Sequence, residues 1–326
     1  MRIDLEEAIA LLKKGEVVAI PTETVYGLAA DANKPEALKK IYAIKERPAT
    51  NPLIVHVANL QQAEEWVTEF PSLAKKLAQA FWPGPLTLVL NAKNHVSSIL
   101  TAGQTTVALR VPNHPVALQL LQQSGLALAA PSANKYTQLS PTTAAHVEAG
   151  LGKDTPVLEG GASKVGIEST IVHVFQDVHK NWQWQLLRQG MVSKTVIEEV
   201  AGKPATKTDI DQEMPKVPGQ HALHYSPRTP LRLCATRDQL LEHIQDCYLN
   251  NTTFAVLMFE GDSLTHAVSC AVKTLPKKQE EYAEHLYATL HALDALSVQQ
   301  LFVELPPNEE AWLPVLDRLN RAAQDS

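Results

Sequence analysis

The apolar run Val17-Val18-Ala19-Ile20 stops at Pro21 and hands over at once to Thr22-Glu23-Thr24-Val25-Tyr26-Gly27. Two hydroxyls, a carboxylate and a phenol therefore crowd the end of one short strand. Brief hydrophobic segments bounded by proline and glycine are too short for independent helices and read as buried strands. Polar clusters at strand ends constrain the fold strongly, because open α/β sheets set their ligand sites there. The arrangement recurs along the chain. His56 lies in Leu53–Val57, Arg110 closes Thr106–Arg110, Pro131-Ser132-Ala133-Asn134 follows Leu126–Ala130, and Ser169-Thr170 opens another apolar run.

Helical spacing of Leu5, Ile9 and Leu12, with Gly15 placed to stop it, predicts a helix over 5–14. Further helical patterns fall near 35–46, 60–68, 71–81, 114–123 and 141–149. Strands are expected at 17–20 and near 53–57, 86–90, 106–111, 126–130, 156–158, 169–175 and 184–188. Several connections are too short for a helical crossover, so the expected fold is α/β with a twisted mixed open sheet. From about Ala201 to Pro230 the hydrophobic period disappears. Beyond it strands near 231–234, 254–259, 271–275 and 301–305 alternate with helices near 237–249, 279–295 and 309–322. This second pattern predicts a smaller, doubly wound α/β domain, although no G-x-G-x-x-G is present. The domains are accordingly read as 1–202, a linker over 203–230, and 231–326.

A chain of 326 residues can build two cores. Its net charge of -6 and 6% aromatic content argue against stable nucleic-acid binding through a basic, ring-rich face. Cys234, Cys247 and Cys270 form no C-x-x-C pair and read as buried hydrophobes rather than a zinc or disulfide frame. Charged residues interrupt the N-terminus, and no apolar run reaches the roughly 18 residues that span a bilayer. A cytoplasmic protein with no membrane partner is expected.

Lys45-Glu46-Arg47 lies at a helix end before Pro48, Asn51 and Pro52. Such cations either complement the helix dipole in solvent or clamp phosphate, the Arg as a planar fork and the Lys as a point charge. His56 reads either as a satisfied strand residue or as a ligand contact. Thr106 and Arg110 share one strand face, and Arg110 in an apolar strand needs an anionic partner from protein or ligand. Ser140 reads as the N-cap of a helix starting at Pro141 and ending before Gly150, and as part of an anion seat. Gly161–Gly166 has P-loop spacing, but Ile167-Glu168 stands where Lys and Ser/Thr are needed, which rejects that motif. Arg188-Gln189-Gly190 supplies another cation.

In order, PTETVYGL (21–28), KER (45–47) with NPL (51–53), PGPLT (83–87), PSAN (131–134), GIESTIV (166–172) and RQG (188–190) resemble the YrdC domain of threonylcarbamoyl-AMP synthases. Residues 217–227, VPGQHALHYSP, resemble the linker of the two-domain form, with Gln220 where methionine is frequent. The resemblance implies synthesis of threonylcarbamoyl-AMP and pyrophosphate from ATP, L-threonine and bicarbonate, with Mg2+ accompanying ATP. It implies delivery of the product to a downstream tRNA threonylcarbamoyl transferase. Carried over by motif, Lys45 and Arg47 would serve catalysis and, with Asn51, the phosphates. Thr106, Ser132, Asn134, Ser140, Arg188, His224 and Tyr225 would complete the ATP site, and Thr24, His56, Arg110, Ala130 and Ser169 would surround threonine. The linker, with Pro218-Gly219, His221, His224 and Tyr225, is expected to close as a lid.

Overall fold

A computed structural model describes residues 1–206, 214–219, 224–261 and 270–323. Gln220 and His221 lie outside the described residues. The chain divides into two compact units, Met1–Tyr136 with Pro141–Gln220, and Thr137–Ser140 with His221–Ser326.

The first unit carries strands β1 (Arg2–Ile3), β2 (Val18–Ile20), β3 (Gly27–Asp31), β4 (Ile54–His56), β5 (Leu86–Asn91), β6 (Thr106–Arg110), β7 (Leu128–Ala129), β8 (Val157–Leu158), β9 (Thr170–Gln176) and β10 (Trp182–Arg188). They form one ten-stranded sheet in the order β1-β8-β2-β3-β7-β4-β6-β5-β9-β10. Pairing is mixed as expected: β4–β6 and β5–β9 are parallel, whereas β2–β3, β5–β6 and β9–β10 are antiparallel. Its helices are α1 (Leu5–Lys13), α2 (Pro35–Lys45), α3 (Leu60–Glu64), α4 (Ser72–Phe81), α5 (Ser98–Thr101), α6 (Pro115–Ser124), α7 (Ala144–Leu151) and α8 (Lys194–Ala201).

Strand side chains alternate between faces, so each strand divides its residues between two tasks. One face buries Leu28, Val55, Leu88, Leu90, Val107, Leu109, Val172 and Val174 against Leu38 and Ile41 of α2, Leu77 of α4 and Ile197 of α8. Each large aliphatic side chain removed from water there contributes about 1.5–3 kcal/mol. The opposite face is covered in two ways. At β2, β3 and β7, Ile20, Ala29 and Leu128 pack against Leu12 of α1 and Leu120 and Leu121 of α6. At β4, β6, β5 and β9, Ile54, Ala108, Val89 and Ile171 meet, among the described residues, Val217 and the flanking Leu187, with no helix residue among them. That helix-free stretch belongs to the same face as His56, Thr87, Thr106 and Arg110.

Three local expectations are corrected. The Ser140 N-cap is not formed: the Pro141 and Thr142 carbonyls accept from Tyr26 N at 2.8 Å and Ser163 N at 2.9 Å. Those bonds hold the segment to its neighbours, and α7 starts only after Thr143, whose hydroxyl accepts from His146 N; Gly150 is inside the helix. The helix expected over 60–68 ends at Glu64, because Val67 bridges Ala92 and Thr68 N bonds Asn91 O beside β5. Strand β3 was not expected; its Gly-Leu-Ala-Ala-Asp sequence has little β-propensity and forms by pairing with β2 and β7.

In the second unit β11 (Leu231–Cys234), β12 (Phe254–Phe259), β13 (Ala271–Leu275) and β14 (Gln300–Glu304) form an all-parallel sheet in the order β11-β14-β12-β13. Helices α9 (Arg237–Leu249), α10 (Gln279–Asp294) and α11 (Leu313–Ala322) accompany them, α11 entered through a 3-10 turn at Glu310–Trp312. Val256, Met258, Phe302, Leu240 and Ile244 share a core with Cys234 and Cys247. The expected doubly wound architecture is the one observed. Burial raises the Cys234 thiol to about 11, which suits an inert packing residue. No described helix is long and apolar enough to cross a membrane.

Candidate functional site

Parallel register sets His56 beside Arg110 and Ile54 beside Ala108. Arg110 is 3% exposed. Its Nη1 donates to Thr24 Oγ1 at 2.9 Å, its Nε donates to Gly84 O at 3.1 Å, and its Nη2 lies 2.5 Å from Glu23 Oε1. The turn that delivers Thr24 and Glu23 is wound around Thr22, whose Oγ1 accepts from Thr24 N and Val25 N at 3.3 and 3.2 Å. Ser163 Oγ donates to Thr22 O at 2.9 Å, and Tyr26 Oη donates to Gly161 O at 2.8 Å while accepting from Gly160 N. The glycine loop after β8 is thereby tied to the polar end of β2. Gly160 is required there, since a Cβ would lie 2.5 Å from Pro21 Cγ and 2.7 Å from His114 Cε1.

Two buried histidines flank this ion pair. His56 is 3% exposed and its Nδ1 has no hydrogen-bond partner. Burial, reinforced by the Arg110 charge, lowers its pKa to about 3, so the ring is neutral at neutral pH. His114 Nε2 donates to Gly160 O at 3.2 Å, which leaves Nδ1 as a bare, buried acceptor.

Along the same face, Thr87 and Ser169 hydroxyls lie 2.7 Å apart. Arg188 donates from Nη2 to Ser169 Oγ at 3.1 Å, from Nε to Ser169 O at 3.0 Å and from Nη1 to Pro218 O at 3.0 Å. Lys216 N donates to Gln104 Oε1 at 2.7 Å. Residues 214–219 therefore rest on the first unit, with Val217 in the helix-free apolar patch.

The second constellation is basic. Lys45, in the last turn of α2, is 1% exposed and donates from Nζ to Ser132 O at 2.5 Å and to Asn134 O at 2.6 Å. Glu46 ends the helix in the left-handed region at φ 53 and turns the chain toward Arg47. Arg47 donates from Nη2 to Pro52 O at 3.1 Å and stands 5.9 Å above the Tyr136 ring. Asn51 Nδ2 donates to Tyr136 Oη at 3.1 Å. Among the described residues no carboxylate pairs with Lys45, and burial with the Arg47 and Lys135 charges holds its pKa well below the usual lysine range. Glu46, on the surface, pairs with Lys135 at 2.5 Å.

The first unit thus brings together Thr24, His56, Arg110, Ser169 and Arg188 on one sheet face, and Lys45, Arg47, Asn51, Ser132 and Asn134 at the end of α2. Thr106 opens β6 opposite Asn91, and Ala130 follows β7, its N bonded to Ile54 O at 3.1 Å. Ser140, His224 and Tyr225 belong to the second unit. There Ser140 O lies 3.1 Å from His291 Nε2, His224 N donates to Arg321 O, and the Arg318 guanidinium stands 5.4 Å over the Tyr225 ring. Sequence reasoning gave no role to Glu23, Thr87 or Tyr136. Glu23 could have been found as the one carboxylate inside the polar end of β2. Among the described residues no group of three His, Cys, Asp or Glu side chains could hold a metal ion.

Residues 10–190 match the Sua5/YciO/YrdC family model, described as "Telomere recombination", and residues 192–324 match "Threonylcarbamoyl-AMP synthase, C-terminal domain". The Bacillus subtilis threonylcarbamoyl-AMP synthase is 40% identical over 328 residues, covering 98% of this chain and 92% of that protein. The Pyrococcus abyssi threonylcarbamoyl-AMP synthase is 35% identical over 97% of this chain and 93% of its own length. The crystal structure of P. abyssi Sua5 complexed with L-threonine superimposes with a TM-score of 0.87 at 34% identity, covering 99% of this chain and 96% of that one.

Proposed function

The chain belongs to the threonylcarbamoyl-AMP synthase family, and from that premise we propose how its first unit works as an L-threonylcarbamoyladenylate synthase. The substrates are ATP, L-threonine and bicarbonate. Threonine's amine condenses with bicarbonate to a carbamate and water; a carbamate oxygen then attacks the α-phosphorus, and pyrophosphate leaves. No side-chain nucleophile is needed, so binding, orientation and charge carry the catalysis.

The observation that carries this reading is the Lys45 ammonium, buried on two carbonyls beside Arg47 and Lys135 with no carboxylate pairing it among the described residues. A buried amino group beside buried Arg47 and half-exposed Lys135 favours an anion of high charge, and a triphosphate fits. Lys45 also fixes Ser132 and Asn134, the loop proposed to face the nucleotide, so it orders the site as well as charging it. Arg47 and Asn51 meet phosphate oxygens, with Thr106 and Arg188 completing the nucleotide's surroundings. Thr24, His56, Arg110, Ala130 and Ser169 surround threonine, and Arg110 takes its carboxylate.

Magnesium would enter with ATP as its counter-ion and offset phosphate charge, since among the described residues no group of three His, Cys, Asp or Glu side chains could hold the ion by itself. The strap 214–219 covers the helix-free patch and keeps water from the labile carbamate. The product passes to a tRNA threonylcarbamoyl transferase, and the net charge of -6 supports a small-molecule site over direct tRNA binding. Incubation with ATP, magnesium, L-threonine and labelled bicarbonate should yield a labelled adenylate; pyrophosphate release without threonine dependence would refute the reading.

A further inference from the structure

Arg110 is surrounded before any substrate arrives. Glu23 Oε1 lies 2.5 Å from Nη2, Thr24 and Gly84 accept from Nη1 and Nε, and both charged side chains are under 7% exposed. The pair is therefore neutral as it stands. A lone carboxylate ligand would bring one negative charge too many into a dry site, at a large desolvation cost. A zwitterion adds none. The atoms left over fit the same requirement: Glu23 Oε2 and the Nδ1 atoms of His56 and His114 are buried and have no hydrogen-bond partner. Glu23 Oε2 and His114 Nδ1 are acceptors, and an ammonium group offers three donors.

Resting on the reading of this chain as a threonylcarbamoyl-AMP synthase, we propose that Glu23 is a further catalytic residue, which binds threonine's ammonium and takes its proton before carbamate formation. The step balances. The ammonium N–H bond breaks, its proton passes to a Glu23 oxygen, and the freed amine lone pair attacks the bicarbonate carbon. Carbamate and one water result, and the proton on Glu23 returns to solvent. His56, neutral down to about pH 3, contributes an uncharged wall rather than the base. The titratable and charged groups around Glu23 are Arg110 of β6 and His114 ahead of α6, with His56 of β4 next to Arg110. The loop whose Val165 N bonds Glu23 O adds exposed Lys164 and buried Glu168.

The test compares the full-length wild-type chain with Glu23→Gln and Glu23→Asp. Titrations use L-threonine and 2,3-dihydroxybutanoate, which lacks the amine, and ATP binding serves as the folding control. Wild type should prefer threonine by at least about 100-fold, and Glu23→Gln should lose most of that preference while binding ATP normally. Its turnover at neutral pH should fall about 100-fold and then climb with pH as threonine's amine loses its proton unaided, with Glu23→Asp between the two. Unchanged preference together with an unchanged pH profile in Glu23→Gln would overturn the proposal. If Glu23→Gln fails the ATP control, Glu23→Asp decides: wild-type preference and pH profile in that variant likewise overturn it. Failure of the wild-type chain itself to bind threonine would instead refute the family-based reading of the site.

Discussion

Two of the buried cation sites of the first unit are built on opposite principles. Lys45 rests on carbonyl oxygens with Arg47 and Lys135 for charged neighbours, whereas Arg110 faces Glu23 at 2.5 Å. One site accumulates positive charge and the other cancels it. The contrast teaches what each can admit: the first favours a polyanion, and the second accepts a molecule that is charged at both ends and neutral overall. On the proposed assignment, ATP and threonine divide along that line.

The sharpest way to break this division is Arg47→Ala. Losing its charge-assisted bonds to phosphate should weaken ATP binding about 100-fold while threonine titrations stay within error. A matching loss of threonine affinity would mean that the two sites are one. Arg110→Lys runs the cross-check. Lysine cannot reproduce the fork that holds Thr24, Gly84 and Glu23 together, so calorimetry should show threonine affinity falling about 30-fold with ATP affinity intact.

His56 sharpens the comparison through stability. Its unfolded-state pKa lies near the ordinary 6.5 and its folded value at about 3, so the unfolded chain gains the proton first as pH falls. Stability is complete above that ordinary value and drains through the window beneath it, by at most about 1.4 kcal/mol per pH unit from this residue. Urea unfolding of His56→Gln between about pH 4 and 7 should show a shallower slope than wild type; a parallel line would show that the ring does not stay neutral. Lys135→Ala should have the smallest effect, about threefold on ATP affinity and fading at high salt, because its charge is shared with exposed Glu46. A salt-independent loss would reveal a direct phosphate contact.

Much of this molecule was legible in the sequence for identifiable reasons. Apolar runs cut by Pro21, Pro52, Pro85 and Pro131 marked the sheet, and period-two alternation put Thr106 and Arg110 on one face. What stayed hidden depends on contacts between distant segments. Strand β3 forms because β2 and β7 are there to pair with it, not because Ala29-Ala30 prefer extended backbone. Ser140 lost its expected cap because the Pro141 and Thr142 carbonyls were claimed from elsewhere. Glu23 was visible as a residue, but its closure onto Arg110 depends on pairing two segments far apart in the chain. The sequence posed the need for an anion beside Arg110 without saying that the protein meets it from within.

Within β4 and β6 consecutive residues serve different masters: Val55 and Leu109 fill the helix-covered side, while His56 and Arg110 point the other way. Inserting or deleting a single residue in either strand would exchange the two sets, dropping a guanidinium into oil and lifting a leucine onto the polar face. Such strands can tolerate length changes only in steps of two. Divergence among relatives should therefore collect in the turns on either side, and grafting this chemistry onto another sheet would have to copy parity before it copied any side chain.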